Sequence, residues 1–309
     1  MKISKQPVEI FVYKPSLGTR LIRVLAGVVS RILGLSGRTK WSNEFLQQIE
    51  PSVEVSAEGK SYRFSTGNGR LLWRAKTFHS EEPLIFEWVR QFGSSDVVLD
   101  VGANAGLYSI LFAKHASLVF SCELDPLNCA EIRRNALLND VADRVVILPV
   151  ACGSENGLSQ VHFRDLSPGD ALQSMDRPSP FATRLGSRPY ISPTVVLNLD
   201  EFWQSASLPK VDHVKIDVDG NEAEVFAGLK SLCANAKSIY LEDSGDTFTK
   251  EILSDLQGRG FREVASSAIS SGSSPGASTS QGFNRVLRRE RKSELLCKER
   301  SKAIGEMFD

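Results

Sequence analysis

The sequence predicts an α/β fold of Rossmann-like type: a largely parallel sheet with helices on both faces and an antiparallel pair at its end. Three observations predict it. Seven short apolar runs recur from residue 96 onward. Helical patterns separate the early runs, and a parallel connection needs such a crossover. The last two runs are joined instead by Ser266 to Gly282, a Ser/Gly-rich stretch that suits a flexible loop between antiparallel strands.

Ahead of the sheet, residues 1–80 read as an N-terminal extension. Val53–Ser56 and Ser61–Phe64 alternate in strand fashion around Glu58-Gly59, a hairpin signature. Residues 21–35 are apolar but interrupted by Arg23 and Arg31. A bilayer span needs about 20 apolar residues. The segment therefore reads as a helix packed on the main domain or on a partner, or as one lying on a membrane surface. Glu81 to Val89 reads as a helix entered through acids and Pro83.

Strands are expected at 96–100, 118–122, 145–150, 212–217, 237–242, 261–266 and 283–288. Helices are expected at 105–114, 126–139 and 220–233. Pro126 after Asp125 suits a helix start, and Asn139-Asp140 suits its end. An insertion over 160–195 holds strand-like Val161–Phe163 and Thr194–Leu197. Its middle is rich in Pro, Ser, Gly and Arg, which suits a lid or substrate loop. The tail, 291–309, mixes both charges and reads as a solvated helix. The main domain is thus expected over 81–290.

Lys+Arg and Asp+Glu both total 37, so no global basic excess draws in nucleic acid, and no such partner is expected. The five cysteines are scattered without a Cys-x-x-Cys pair, which argues against a disulfide framework or zinc site. With no signal peptide evident, a cytoplasmic protein is expected.

The most informative stretch is Asp100-Val101-Gly102-Ala103-Asn104-Ala105-Gly106. It joins the apolar run Val97–Leu99 to the helical pattern that begins at Leu107. Glycines here allow close backbone approach and positive φ. The opening helix offers unpaired N–H groups to a ligand carboxylate. The spacing is Asp-x-Gly-x-x-x-Gly, whereas a dinucleotide pyrophosphate cradle takes Gly-x-Gly-x-x-Gly. S-adenosylmethionine (SAM) has no phosphate and carries a sulfonium cation, so an acid at the strand end suits it. Glu123 ends the next run about twenty residues on, where an acid accepts ribose hydroxyls in βαβ nucleoside sites.

These residues carry a family resemblance. Val97 to Ser109, Glu123-Leu124-Asp125-Pro126 and Val211 to Glu222 together resemble the FkbM family of SAM-dependent methyltransferases. The family's usual Lys-Ile-Asp-Val-Glu-Gly stands here as Lys215-Ile216-Asp217-Val218-Asp219-Gly220, which shortens one acid. The resemblance covers roughly 80–245. It implies a class I methyltransferase with seven strands, the last antiparallel, that methylates hydroxyls of small molecules, sugars, glycans or polyketides. N-methylation and a non-catalytic binding role are the alternatives.

On this reading Asp100, Gly102, Asn104, Gly106 and Glu123 bind SAM, and Ala151 and Cys152 flank its adenine. Asp217, at the carboxyl end of the fourth strand, is the leading candidate for base, substrate anchor or metal ligand. Lys215 shares its strand face and would keep it ionised, or form a structural ion pair. Glu222 opens the next helix and serves either its dipole or the substrate. Glu242, Asp243 and His79 are weaker candidates. Asp217, Asp219, Glu222 and Glu242 offer oxygen ligands to a divalent cation, but their spacing is not diagnostic, and no metal is assigned.

Overall fold

A computed structural model describes residues 51–163, 165–171, 173–175, 190–218, 220–243, 247–268 and 283–290, with Val28 alone before them. The segment 21–35 apart from Val28, Asp219, the stretch 269–282 and the tail 291–309 lie outside the described residues.

The expected hairpin is β1 (Ser52–Ala57) and β2 (Lys60–Ser65). Its two-residue turn puts both Glu58 (φ +51°) and Gly59 (φ +71°) in the left-handed region, the geometry that matches strand twist. Helices α1 (Gly69–Thr77) and α2 (Pro83–Val89) lead into β3 (Val97–Val101), α3 (Leu107–Ala113), β4 (Leu118–Cys122), α4 (Pro126–Leu138) and β5 (Val145–Leu148). A second, smaller sheet holds β6 (Ala151–Cys152), β7 (Gly157–Phe163), β8 (Ser174–Met175) and β9 (Tyr190–Leu197). The chain returns through α5 (Leu199–Ser205) to β10 (His213–Ile216), α6 (Glu222–Ala227), α7 (Lys230–Asn235) and β11 (Ser238–Asp243). It ends in α8 (Thr247–Gly258), β12 (Phe261–Ala268) and β13 (Phe283–Arg289).

The main sheet has seven strands in the order β12-β13-β11-β10-β3-β4-β5. Only β13 runs antiparallel, as expected, and it inserts between β11 and β12. The chain starts at β3, moves out through β4 and β5, then crosses back to β10 on the other side of β3. That reversal opens a crevice at the carboxyl ends of β3 and β10, the usual place for a ligand in such sheets.

Three expectations need correction. The strand over 145–150 stops at Leu148. Ala151 and Cys152 leave the main sheet and pair with Val196 and Leu197 in the second one. The helix over 220–233 is two helices, broken at Gly228. A Cβ there would lie 1.9 Å from the Gly153 carbonyl oxygen, so close backbone approach interrupts the helix. A helix, α8, precedes β12; its inward pair Ile252 and Leu256 is buried four residues apart. Phe248, Ile252, Leu253 and Leu256 recur at helical spacing, a signal the strand reading of this region passed over.

Two apolar clusters cover the sheet's two faces. Val98 packs on one side, whereas Val97, Leu99 and Val101 pack on the other, the period-two alternation of a strand buried on both faces. Tyr62, Phe64 and Phe78 belong to the same core as Ile110 and Phe112, so the hairpin and α1 are built onto the sheet's helical layer. His213 packs, as expected: its ring nitrogens meet Ser238 Oγ and Asp96 Oδ2, both at 2.8 Å. Among the described residues, no helix is long and apolar enough to cross a membrane.

Candidate active site

A cavity of about 310 Å³ opens at the carboxyl ends of the central strands. The turn after β3 forms one wall with Val101, Gly102 and Asn104. The end of β4 adds Cys122, Glu123 and Leu124, and the link to the second sheet adds Val150, Ala151 and Cys152. Asp217 and Val218 follow β10, and Glu242 ends β11. Trp73, Arg74, Glu81 and Glu82 close the opposite side.

The turn explains its glycines. Gly102 (φ +82°) lies so close to β10 that a Cβ would stand 1.7 Å from the Asp217 carbonyl oxygen. Gly106 (φ +79°) does not line the cavity; a Cβ there would meet Ile132 Cγ1 at 2.8 Å, so it seats α3 on α4. Between them, Asn104 is left-handed at φ +50°. Its N–H donates to Glu123 Oε2 at 2.7 Å, and the Asp125 N–H donates to Oε1 at 2.8 Å. Both oxygens are fixed, yet a carboxylate has about four acceptor sites, so room remains for two ribose hydroxyls. Burial pushes the Glu123 carboxyl up to about 7, despite these backbone donors.

Asn104 Nδ2 donates to the Asp170 carbonyl at 2.6 Å, which ties the turn to the insertion. Arg70 reaches Asp170 Oδ1 at 3.1 Å and Asp165 Oδ2 at 3.2 Å, and Arg74 Nε donates to the Gly169 carbonyl at 2.9 Å. The insertion thus reaches the cavity, where Ala171 lines it, and α1 clasps it there.

Asp100 lies beneath the turn, wholly buried, and does not line the cavity. Ser109 Oγ donates to its Oδ2, and Lys215 Nζ stands 3.7 Å from Oδ1. Burial pushes its carboxyl up against the pull of Lys215. Its role is therefore to brace the strand end and the lysine. Lys215, 1% exposed, also lies under the cavity and donates to Asp217 Oδ2 at 2.7 Å. Burial works against its charge, but Asp217, Asp100 and Glu82 together hold it well above the usual lysine range.

Asp217 faces the cavity with 28% of its side chain exposed. Burial opposes its charge, but Lys215 and a hydrogen bond with Glu242 outweigh it and bring the carboxyl down to about 2. Glu82 behaves oppositely. Burial and the Asp217 charge push it up to about 7, although the Tyr240 hydroxyl donates to its Oε2 at 3.0 Å.

Glu222 does not line the cavity: it is buried, and its Oε1 accepts from the Gly220 N–H at 2.9 Å, within its own turn. His79 is also outside, 58% exposed and 4.0 Å from Glu58. Asp219 lies outside the described residues, among which no group of three acids, histidines or cysteines is placed to hold a metal. Sequence reasoning missed Trp73, Arg74 and Glu82 as site residues. Their signal was weak: Asn68, which caps α1 through the Arg70 and Leu71 N–H groups, ahead of Leu71 and Ala75 on its buried face.

The geometry suits SAM. Glu123 offers acceptors to a ribose, Leu124, Ala151 and Cys152 give a small apolar wall for an adenine, and the acids beyond favour a cation. Fold and cavity define a SAM-dependent methyltransferase of the Rossmann-like, class I type. The comparisons with known proteins make the assignment specific. Residues 100–263 match the methyltransferase FkbM domain, and the chain belongs to that family.

Two relatives illustrate its company. The hexuronic acid methyltransferase AglP of Haloferax volcanii is 24% identical over 66% of this chain and 79% of its own length. The 2-O-methyltransferase NoeI of Sinorhizobium fredii is 29% identical over 48% of this chain and 63% of its own. Among solved structures, Trm5b from Pyrococcus abyssi superposes with a TM-score of 0.41 at 14% identity, over 77% of this chain and 55% of that one.

Proposed function

We propose that this enzyme transfers a methyl group from SAM to a hydroxyl oxygen of a sugar, as a free saccharide or within a glycan. The observation that carries the reading is the adjacency of two unlike half-sites. Gly102 brings the cofactor turn against the Asp217 carbonyl, so the ribose acid Glu123 and the acids Glu82, Asp217 and Glu242 line one cavity. The names of AglP and NoeI support a sugar hydroxyl as acceptor. So does Trp73, a cavity-lining ring left 48% exposed, which offers an apolar face to a pyranose beside polar groups for its hydroxyls.

SAM, when bound, supplies a methyl group activated by its sulfonium. The protein's residues must align the acceptor oxygen with that methyl and remove the hydroxyl proton. Glu123 holds the ribose by charge-assisted hydrogen bonds. Asp217, kept ionised by Lys215, accepts a hydrogen bond from a neighbouring hydroxyl of the acceptor and so fixes the direction of the reacting one. A carboxylate held near 2 is a poor proton acceptor at neutral pH, so anchoring is its role. Val218 and Leu124 flank the path and help exclude water.

The test is a labelled-methyl screen against hexosides, hexuronic acids, amines and transfer RNA. Label in hexosides or hexuronic acids supports the reading. Label only in amines or RNA overturns it.

A further inference from the structure

We infer that Glu82 is the catalytic base, the group that takes the proton of the acceptor hydroxyl. The inference rests on the O-methylation reading. Glu82 is the last residue before α2, with Pro83 as the first helical residue, and its backbone (φ −128°, ψ 70°) is set by the entry to that helix. Its side chain lines the cavity on the side facing Asp217. The Tyr240 hydroxyl fixes its Oε2 at 3.0 Å, and Tyr240 is itself wholly buried in β11 with its ring 5.4 Å from that of Trp88. The carboxylate is thus held by a neutral donor in the chamber where the acceptor must sit.

The contrast with Asp217 decides the roles. Asp217 has an ammonium at 2.7 Å, so its negative charge is compensated and its affinity for a proton is low. Among the described residues Glu82 has no ion pair that close, and the Asp217 charge adds to the burial that disfavours its own. The other charged and titratable groups around it are Lys215 on β10, Glu242 on β11, Arg74 on α1 and its neighbour Glu81. Burial and Asp217 together leave Glu82 titrating at about 7, matched to proton abstraction near neutrality.

The step balances. The acceptor O–H bond breaks and its proton moves to a Glu82 oxygen. The acceptor oxygen forms its bond to the methyl carbon as the S–CH₃ bond breaks, with the electron pair left on sulfur. Glu82 then passes the proton to solvent when the product leaves.

Glu82→Gln keeps size and removes the base. With a hexoside or hexuronic acid that the wild type methylates, kcat should fall by roughly 10²–10⁴-fold. Calorimetry should show S-adenosylhomocysteine binding unchanged. The wild-type kcat should rise with pH through a midpoint near 7, and that limb should vanish in the variant. Tyr240→Phe removes a donor to the charged form, so it should move the midpoint upward. Carboxyl ¹³C titration of the wild type reads the same group without turnover and should place Glu82 near 7. A folded Glu82→Gln protein that keeps most of its kcat and the same acid limb overturns the inference alone. So does a Glu82 midpoint in the ordinary carboxylate range. A wild type that binds cofactor product yet methylates no hydroxyl acceptor overturns the O-methylation reading, and this inference with it.

Discussion

Nucleoside binding should be coupled to the loss of a proton from Glu123. In the free protein, burial holds this carboxyl at about 7, well above its ordinary value. Ribose hydroxyls donate only to the charged form with full strength, so binding selects the carboxylate. With a midpoint of about 7, roughly one molecule in eleven is charged at pH 6 and ten in eleven at pH 8. Apparent affinity should therefore tighten about tenfold over that interval, or about 1.4 kcal/mol. The same shift has a sign for stability. The folded state binds this proton more tightly than the unfolded chain, so it lowers stability as pH rises from 4.5 through about 7. Bound nucleoside should offset that loss.

The assay is calorimetry with 5′-methylthioadenosine, which has the adenine and ribose but no amino-acid group to titrate in this range. Glu123→Gln should lose the pH dependence. At pH 8 it should also bind more weakly by about 1.5–3 kcal/mol, the loss expected for hydrogen bonds to a charged group. A wild-type affinity that is flat between pH 6 and 8, or an equal slope in Glu123→Gln, would refute the reasoning.

Other outcomes follow from the same geometry. Lys215→Met should lower unfolding free energy by about 3–5 kcal/mol at pH 8, because it leaves the wholly buried Asp100 without its counter-charge. Asp100 is already pushed up by burial, so the loss should shrink toward pH 4 as it protonates; denaturant titrations at both pH values check this, and an equal loss at both contradicts it. Gly102→Ala should cost at least about 1–3 kcal/mol from its positive φ, and more from the 1.7 Å approach to the Asp217 carbonyl, with loss of nucleoside binding. Thermal melts and calorimetry read both effects. Asp217→Asn should leave nucleoside affinity intact and lower kcat, because an acceptor anchor acts beyond the cofactor half-site; near-wild-type kcat would make Asp217 structural.

Much of this was legible in residue order because the elements that position the cofactor are local. Asp100 to Gly106, Glu123 and the start of α4 are set by strand ends, turns and caps within a few residues, and the strand alternation supplied the parallel sheet. What stayed hidden depends on contacts distant in sequence. Gly228 breaks a helix because Gly153, 75 residues earlier, lies against it, which no local pattern reveals. Asp100 has the look of a ligand residue, but its partners Ser109 and Lys215 take it under the floor. Glu82 sits in a helix entry that reads as a routine acidic first turn. Only folding brings Tyr240, 158 residues away, to hold it in the cavity. Ala151 and Cys152 keep their expected place in the lining although they belong to another sheet, because the chain leaves β5 at the same rim.

The central claim is methyl transfer from SAM to a sugar oxygen. Its most direct test is to incubate the enzyme with methyl-¹³C SAM and an acceptor hexoside or hexuronic acid, then locate the label by carbon–proton correlation NMR. The account expects the labelled carbon bonded to a sugar oxygen, with one S-adenosylhomocysteine released per methyl transferred. Label on nitrogen or carbon, or a protein that binds SAM and labels no hydroxyl in any sugar offered, would contradict it.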